Sequence, residues 1–337
     1  MGSDRPGHTG APRLLEGRAE ALGTLLTLLR THKTFLITSH ARPDGDAVGS
    51  VLGAMHLLEA MGKTAVAVMA DPVPLTFASL PGSERIRRTQ PLEQADIALV
   101  LECDSVERTG LDRLHARLIV NIDHHRSGAA YADVNWIEAE APAVGAMLYE
   151  LAVASGIPIS PALATCLYAA ILTDTVHFTS ASTNAETFAI AEQLVRFGAG
   201  AAEVAEAVYH SYRPARLWVL GAALRRLTID GPIAWSAITL GEIGAAGAES
   251  EDCEGVVNYI VGVEGVRAGV FLRELSTGSY RVSLRSKGAV DVASVAEALG
   301  GGGHHHASGC TMEGPLDQAL ERLKVHLHAA CAAAAIR

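Results

Sequence analysis

Four short apolar runs, rich in β-branched residues, constrain the fold most: TFLITS (34–39), TAVAVMA (64–70), DIALVLE (96–102) and RLIVNI (117–122). They do not alternate apolar with polar residues, so each is suited to burial on both faces. Helical patterns separate most of them. Strands of that kind belong to a mainly parallel sheet covered by helices, an α/β fold. The chain has 337 residues. Domains run to roughly 100–200 residues, so two are expected.

Leucines at 14, 15, 22, 25, 26, 28 and 29 predict an amphipathic helix over 13–31. A second helix is expected from 47 to 61, stopped by Gly62. Further helical patterns cover 142–155, 161–172, 184–197, 201–211 and 214–226. The stretch Leu151–Thr173 carries no charge, but Gly156, Pro158 and Pro161 interrupt it. It therefore reads as two buried helices joined by a corner, not as a membrane span. From about 231 the texture changes. PIAWSAITL, VRAGVFLRELS and SYRVSLRS read as strands, and EDCEGVVNYIVG, DVASVAEALG and 316–335 as helices. The expected organisation is a first domain over 13–200, a helical connector over 201–230 and a smaller α/β domain over 231–337.

Charge narrows the function. Lys plus Arg number 27 and Asp plus Glu 37, a net −10. An acidic chain has no global field with which to hold long duplex DNA. The five cysteines form no CxxC pair, and no secretory leader pattern is read, so a reduced, cytoplasmic compartment is expected. The first ten residues read as an unstructured lead.

Acids and imidazoles gather where apolar runs end. His40, Asp44 and Asp46 lie in SHARPDGDAVGS (39–50), just after the first strand. In open parallel sheets, ligands bind outside the carboxyl ends of strands. Two carboxylates and an imidazole suit divalent cations. The competing reading is a solvated turn in which Asp46 caps the next helix. Asp123, His124 and His125 follow another strand in NIDHHRSG. Glu102 and Asp104 follow a third, and strand alternation would put both on one side; alternatively Asp104 caps a helix and Glu102 lies on the surface. Asp174, in ILTDTVHF, closes a long uncharged run, so it is a paired or coordinated buried charge or a helix-end residue reaching solvent. His177 nearby reads as structural. Together these residues make the inventory of a two-metal site.

The distal segment holds GGGGHHHASG (300–309) and SLRSK (283–287). Glycine-rich backbone can approach an anion closely. Arg285 suits bidentate phosphate recognition, with Ser286 and Lys287 beside it. Against this stand a flexible loop and a surface cation; side by side in one small domain, the two segments read as a substrate clamp.

SHARPDGDAVGS, NIDHHRSG, ILTDT and GGGGHHHASG, in this order, resemble the DHH phosphoesterases that carry a DHH-associated C-terminal domain. The resemblance runs from about Thr34 to Gly314 and is greatest to the bacterial nano-RNase and pAp phosphatase group, relatives of the RecJ exonuclease and of family II pyrophosphatases. It implies an active-site cleft between two domains, two Mn²⁺ ions (Mg²⁺ as an alternative), a homodimer, and short RNA oligonucleotides or small phosphorylated nucleotides such as pAp as substrates. The implied activity is a hydrolase of 3′–5′ exoribonuclease and phosphatase type.

Carried onto this chain, the resemblance makes His40, Asp44, Asp46, His124 and Asp174 metal ligands. Asp123 supports the site, and His125 and Arg285 act on the substrate phosphates. Ser286, Lys287, Gly302, Gly303, His304, His305 and His306 bind its anionic end. The family usually has Asp directly after the third strand. Here Glu102 stands at that place and Asp104 two residues on, so either could bridge the metals, with Glu102 preferred. Val176 stands where glycine is common. Two other readings remain: a dinucleotide phosphodiesterase, pyrophosphatase or polyphosphatase using the same site, and a nucleotide-binding regulator with a decayed one.

Overall fold

The computed structural model describes residues 13–335 apart from 16, 92, 126–129 and the side chain of His304. The expected lead, 1–10, and the end of NIDHHRSG lie outside the described residues. The chain forms two compact units that meet in sequence between Ser211 and Tyr212. That boundary falls inside the stretch 201–230 read as a connector. Its first helix belongs to the first unit and its second to the second.

The first unit runs β1 (Arg13–Leu14), α1 (Arg18–Thr31), β2 (Thr34–Thr38), α2 (Gly45–Ala60), β3 (Thr64–Ala67), β4 (Ala95–Leu101), β5 (Ala116–Asp123), β6 (Val134–Ile137), α3 (Val144–Ser155), α4 (Pro161–Asp174), α5 (Ala185–Arg196) and α6 (Ala201–Tyr209). Its six strands are all parallel, in the order β1-β6-β5-β4-β2-β3. The α/β reading holds.

Two strands of this unit escape the sequence reading. β1 is two residues long and lies inside the segment read wholly as helix. β6 contains Asn135, which looks wrong for a buried strand. Its amide answers that: Oδ1 accepts from the Ala132 backbone N–H and Nδ2 donates to the Ala132 carbonyl. A buried amide with its bonds made is tolerated in a core.

α2 is buried from Gly45 to Met55 without interruption and again at Leu57 and Leu58. Its sequence, GDAVGSVLGAMHLL, is apolar or small all round, the signature of a helix enclosed on every side. The uncharged stretch resolves as α3 and α4, with Gly156 in the left-handed conformation ending α3 and Pro161 opening α4. No helix among the described residues is long and apolar enough to cross a membrane.

The second unit runs α7 (Pro214–Arg225), β7 (Thr228–Asp230), β8 (Ile233–Ile238), α8 (Leu240–Ala245), α9 (Val256–Val261), β9 (Ala268–Ser276), β10 (Ser279–Ser286), α10 (Val292–Ala298), β11 (Gly302–His304), β12 (Ala307–Glu313) and α11 (Leu316–Ala333). Its mixed six-stranded sheet has the order β11-β12-β10-β9-β8-β7. One apolar cluster includes residues of α10 and α11, and another includes residues of α7 and α9. The glycine–histidine run is not a loop: it forms the β11–β12 hairpin, paired Gly302↔Gly309 to His304↔Ala307. At Gly303 (φ 142°) a Cβ would lie 2.6 Å from the Ala307 carbonyl oxygen, so only glycine fits that crossing.

Candidate active site

β2, β4 and β5 are parallel neighbours, so their carboxyl ends open at one edge of the sheet. β2 leads to His40, β4 to Glu102, and β5 ends at Asp123 just before His124 and His125. The N-terminus of α2 adds Asp44 and Asp46, and the last residue of α4 is Asp174.

Glu102 is the hub. Its side chain is 3 % exposed. Oε2 lies 3.0 Å from His40 Nε2, whereas Oε1 lies 3.4 Å from both His124 Nε2 and His125 Nδ1. His124 Nε2 is also 3.5 Å from Asp174 and 4.0 Å from Asp46. Three sets of potential ligand atoms result: His40, Asp44 and Glu102; Glu102, His124 and His125; and Asp46, His124 and Asp174. Glu102 and His124 each belong to two of them.

Two imidazoles are oriented by main-chain carbonyls. His40 Nδ1 bonds the Ala41 oxygen at 2.9 Å, and His124 Nδ1 the Ala141 oxygen at 3.0 Å. A carbonyl accepts only, so Nδ1 carries the proton and Nε2 is turned to the carboxylates. His125 differs: Asp123 Oδ1 meets its Nδ1 at 2.7 Å and also accepts the backbone N–H groups of His124 and His125.

The capping assignment is reversed from the solvated-turn reading. Asp44 caps α2, accepting from Ala47 N–H. Asp46 is buried and instead accepts the Val144 and Gly145 amides at the start of α3, plus the Ser50 hydroxyl at 2.7 Å. The α3 dipole favours a negative charge there. Ser50 and the two amides were not singled out from sequence. Backbone donors leave no residue-type signal, although Ser50 sits in the quoted motif.

Strand alternation fails beyond Leu101, because Glu102 adopts φ 54°. That left-handed twist separates Glu102 from Asp104. Asp104 turns to Arg108 at 3.0 Å and joins none of the three groups.

The electrostatics follow. Burial pushes Asp46 up to about 6, with the Glu102 charge adding to it. Burial likewise pushes Asp174 well above the carboxylate range, and Asp46, Glu102 and Asp44 reinforce it. Burial alone would lower His40, but Asp44 and Glu102 carry it to about 11. His124 is raised well above its usual value because the same kind of carboxylate attraction outweighs its burial. Burial opposes the charge of Glu102, yet His125, His124 and His40 hold its carboxyl well below the usual range. Four acids crowded at one sheet edge repel one another unless positive charge sits among them. A donor set of buried carboxylates and Nε2-presenting imidazoles fits divalent cations.

In the second unit, Arg285 is half-buried. Its Nη1 donates to the Leu284 carbonyl, and burial lowers its guanidinium. Ser286 Oγ donates to Val290 O at 2.6 Å and lies 3.0 Å from His306 Nδ1. Lys287 is exposed and donates to the Val263 carbonyl. His305 Nδ1 lies 3.6 Å from Asp291. Gly302, Gly303 and the backbone of His304 lie on β11. His177, expected to be structural, is exposed, with its ring tilted against that of Tyr209.

An all-parallel sheet with acids and imidazoles at its strand ends, followed by a mixed-sheet unit, defines a two-unit α/β protein with a site suited to divalent cations. The chain belongs to the DHH family: the family's N-terminal domain matches residues 34–171 and the DHHA1 domain matches 232–333. It is 33% identical over 291 residues to the bifunctional oligoribonuclease and PAP phosphatase NrnA of Thermus thermophilus, covering 85% of this chain and 87% of that one. The solved exopolyphosphatase-related protein of Bacteroides fragilis superposes with a TM-score of 0.86 at 27% identity, over 92% of this chain and 96% of that one. RecJ of Thermus thermophilus, solved with Mn²⁺, shares the fold at TM-score 0.51 and 17% identity, over 96% of this chain and 55% of RecJ.

Proposed function

We propose that this protein is a metal-dependent phosphoesterase that hydrolyses short oligoribonucleotides and 3′-phosphoadenosine 5′-phosphate. The position of Glu102 carries the reading: one oxygen faces His40 and the other His124, so a single carboxylate can join two cation sites. The relative named for both activities supports the substrate class.

His40, Asp44 and Glu102 would hold one cation, and Asp46, Glu102, His124 and Asp174 the other. Such cations, when bound, supply activation of water and neutralisation of phosphate charge. Asp46 is fixed by two amides, which pre-orders its ligand oxygens. Asp123 holds His125 beside Glu102, where the imidazole can donate a proton or hydrogen bond to a phosphoryl oxygen. Arg285, with Ser286, Lys287, Gly302, Gly303 and His304–His306, would recognise the anionic end of the nucleotide. The reading includes Mn²⁺ as the metal, a homodimer and cytoplasmic residence. Metal analysis, sedimentation and cell fractionation test these three.

The test is hydrolysis of pAp, pApA, short RNA and pyrophosphate with Mn²⁺. Turnover of pAp or short RNA, abolished by His124→Ala and by Asp174→Ala, is expected. Pyrophosphate cleavage without nucleotide turnover overturns the substrate class. Nucleotide bound and left intact identifies a regulator, and an unchanged rate in either variant refutes the metal assignment.

A further inference from the structure

α4 ends in an unusual turn. Val176 N–H bonds the Thr173 carbonyl and His177 N–H the Leu172 carbonyl, the paired bonds of a Schellman ending. The residue that must be left-handed in that motif is Val176, at φ 48°. This accounts for the glycine common there. The turn continues left-handed through His177 (φ 63°) and Phe178 (φ 62°). L-residues are disfavoured in this region, and a β-branched one there is an outlier.

Such a conformation persists only where its surroundings enforce it. Thr175, fully buried, accepts the Phe178 N–H on its Oγ1 and the Thr179 and Ser180 N–H groups on its carbonyl. Phe178 turns inward and stacks on Phe188 at 5.4 Å between centroids. His177 turns the other way and lays its ring on Tyr209, with centroids 3.6 Å apart and planes inclined by 33°. The His177 side chain stays exposed. An aromatic ring is thus braced from one side and open to solvent. It stands three residues beyond Asp174, at most ~10 Å along the chain. A nucleotide with its phosphate at Asp174 can span that distance.

We infer that the His177–Tyr209 pair is a stacking platform for the nucleobase of the substrate, with His177 the specificity-determining residue. This rests on the phosphoesterase reading above. A flat π-face accepts any base, so the platform favours nucleotides over base-free phosphates without selecting among bases.

Two measurements test it together. The first is hydrolysis of pAp against its abasic counterpart, ribose 3,5-bisphosphate, with Mn²⁺. The second is quenching of 2-aminopurine riboside 5′-monophosphate on binding, which reports stacking whether or not anything is hydrolysed. His177→Asn removes the stacking ring while keeping a residue suited to φ 63°, so the turn is retained; His177→Phe restores a ring. Stacking is worth about 1–3 kcal/mol per base, so His177→Asn should raise KM for pAp about tenfold. Its kcat should stay within about twofold, and the abasic substrate should be unaffected. Quenching should fall in the Asn variant and return in the Phe variant. If pAp is cleaved but His177→Asn changes both substrates alike, the platform is wrong and the phosphoesterase reading stands. If nothing is cleaved yet quenching depends on residue 177, the platform stands and the phosphoesterase reading falls. Quenching equal in wild type and His177→Asn overturns the platform in either case.

Discussion

Gly49 packs so closely on α4 that a Cβ at its position would meet the carbonyl oxygen of Cys166 at 2.5 Å. One turn earlier, a Cβ at Gly45 would overlap the Thr173 side chain. α2 and α4 therefore touch almost backbone to backbone, running in opposite directions. That contact brings the start of α2, with Asp44 and Asp46, to the end of α4, with Asp174. Helix approach and the grouping of the acids are one structural fact.

Gly49→Ala separates the two consequences. Alanine favours an exposed helix interior by up to about 1 kcal/mol over glycine. Here the methyl meets backbone, which cannot rotate away, and overpacking costs about 1–3 kcal/mol. The variant should be less stable by about 1–2 kcal/mol in urea unfolding, with hydrolysis reduced as Asp174 is displaced. A more stable variant would show that the helices separate freely.

Glu102 and Asp104 are two residues apart but differ in surroundings: one faces three histidines, the other pairs with Arg108. Glu102→Gln keeps the shape and removes the charge. It should weaken Mn²⁺ binding in calorimetry and lower turnover by at least about a hundredfold, as expected for loss of transition-state charge stabilisation. Asp104→Asn should leave metal binding intact and turnover within about threefold, since an exposed pair is worth at most about 1 kcal/mol. The reverse ranking would move the bridging role to Asp104.

Much of this site is legible in the sequence because the sheet is buried on both faces. DIALVLE is buried from Ile97 and RLIVNI from Ile119 onward, so Glu102 and Asp123, the first acids beyond those buried apolar residues, mark the strand ends. What lay hidden is contextual. Nothing in DGDAVGS says that Asp46 reaches across to the amides of α3, since Val144 and Gly145 contribute only backbone. The shift between Glu102 and Asp104 comes from one left-handed residue, which strand periodicity cannot express. VNWI forms a strand despite the polar Asn135 because the amide is matched by the Ala132 backbone, a partnership that composition does not show. GGGGHHH was open to reading as a loop because glycine runs usually are, and only the β12 register shows a strand there.

Val176→Gly tests the strain in the α4 ending. Glycine removes the left-handed penalty of about 1–2 kcal/mol. It also gives back part of that through a freer unfolded chain, about 0.4–1 kcal/mol. The net expectation is a stabilisation of about 0.5–1 kcal/mol by urea unfolding. Destabilisation would mean that the Val176 side chain contributes packing that exceeds its backbone strain.

Glu150 offers a pH test remote from the strand ends. Arg18 Nη1 lies 2.8 Å from Glu150 and 2.6 Å from Glu186, while its other nitrogens bond Glu138, so one cation serves three carboxylates. Glu150 Oε2 is buried without a hydrogen bond among the described residues. Burial lifts the carboxyl from 4.5 to about 7; Arg18 opposes this, and Glu138 and Glu186 add to it. Between those values the native state holds a proton that the unfolded chain has released. Stability from this group is therefore greatest at low pH, falls as pH rises from about 4.5 to 7, and levels off above. Glu150→Gln mimics the protonated form and should remove the dependence. Thermal unfolding at pH 8 should show Glu150→Gln more stable than wild type by on the order of 1 kcal/mol, discounted for partial exposure, with the two alike near pH 5. If Glu150→Gln is instead the less stable protein at pH 8, the ionised carboxylate earns more from Arg18 than it loses to burial.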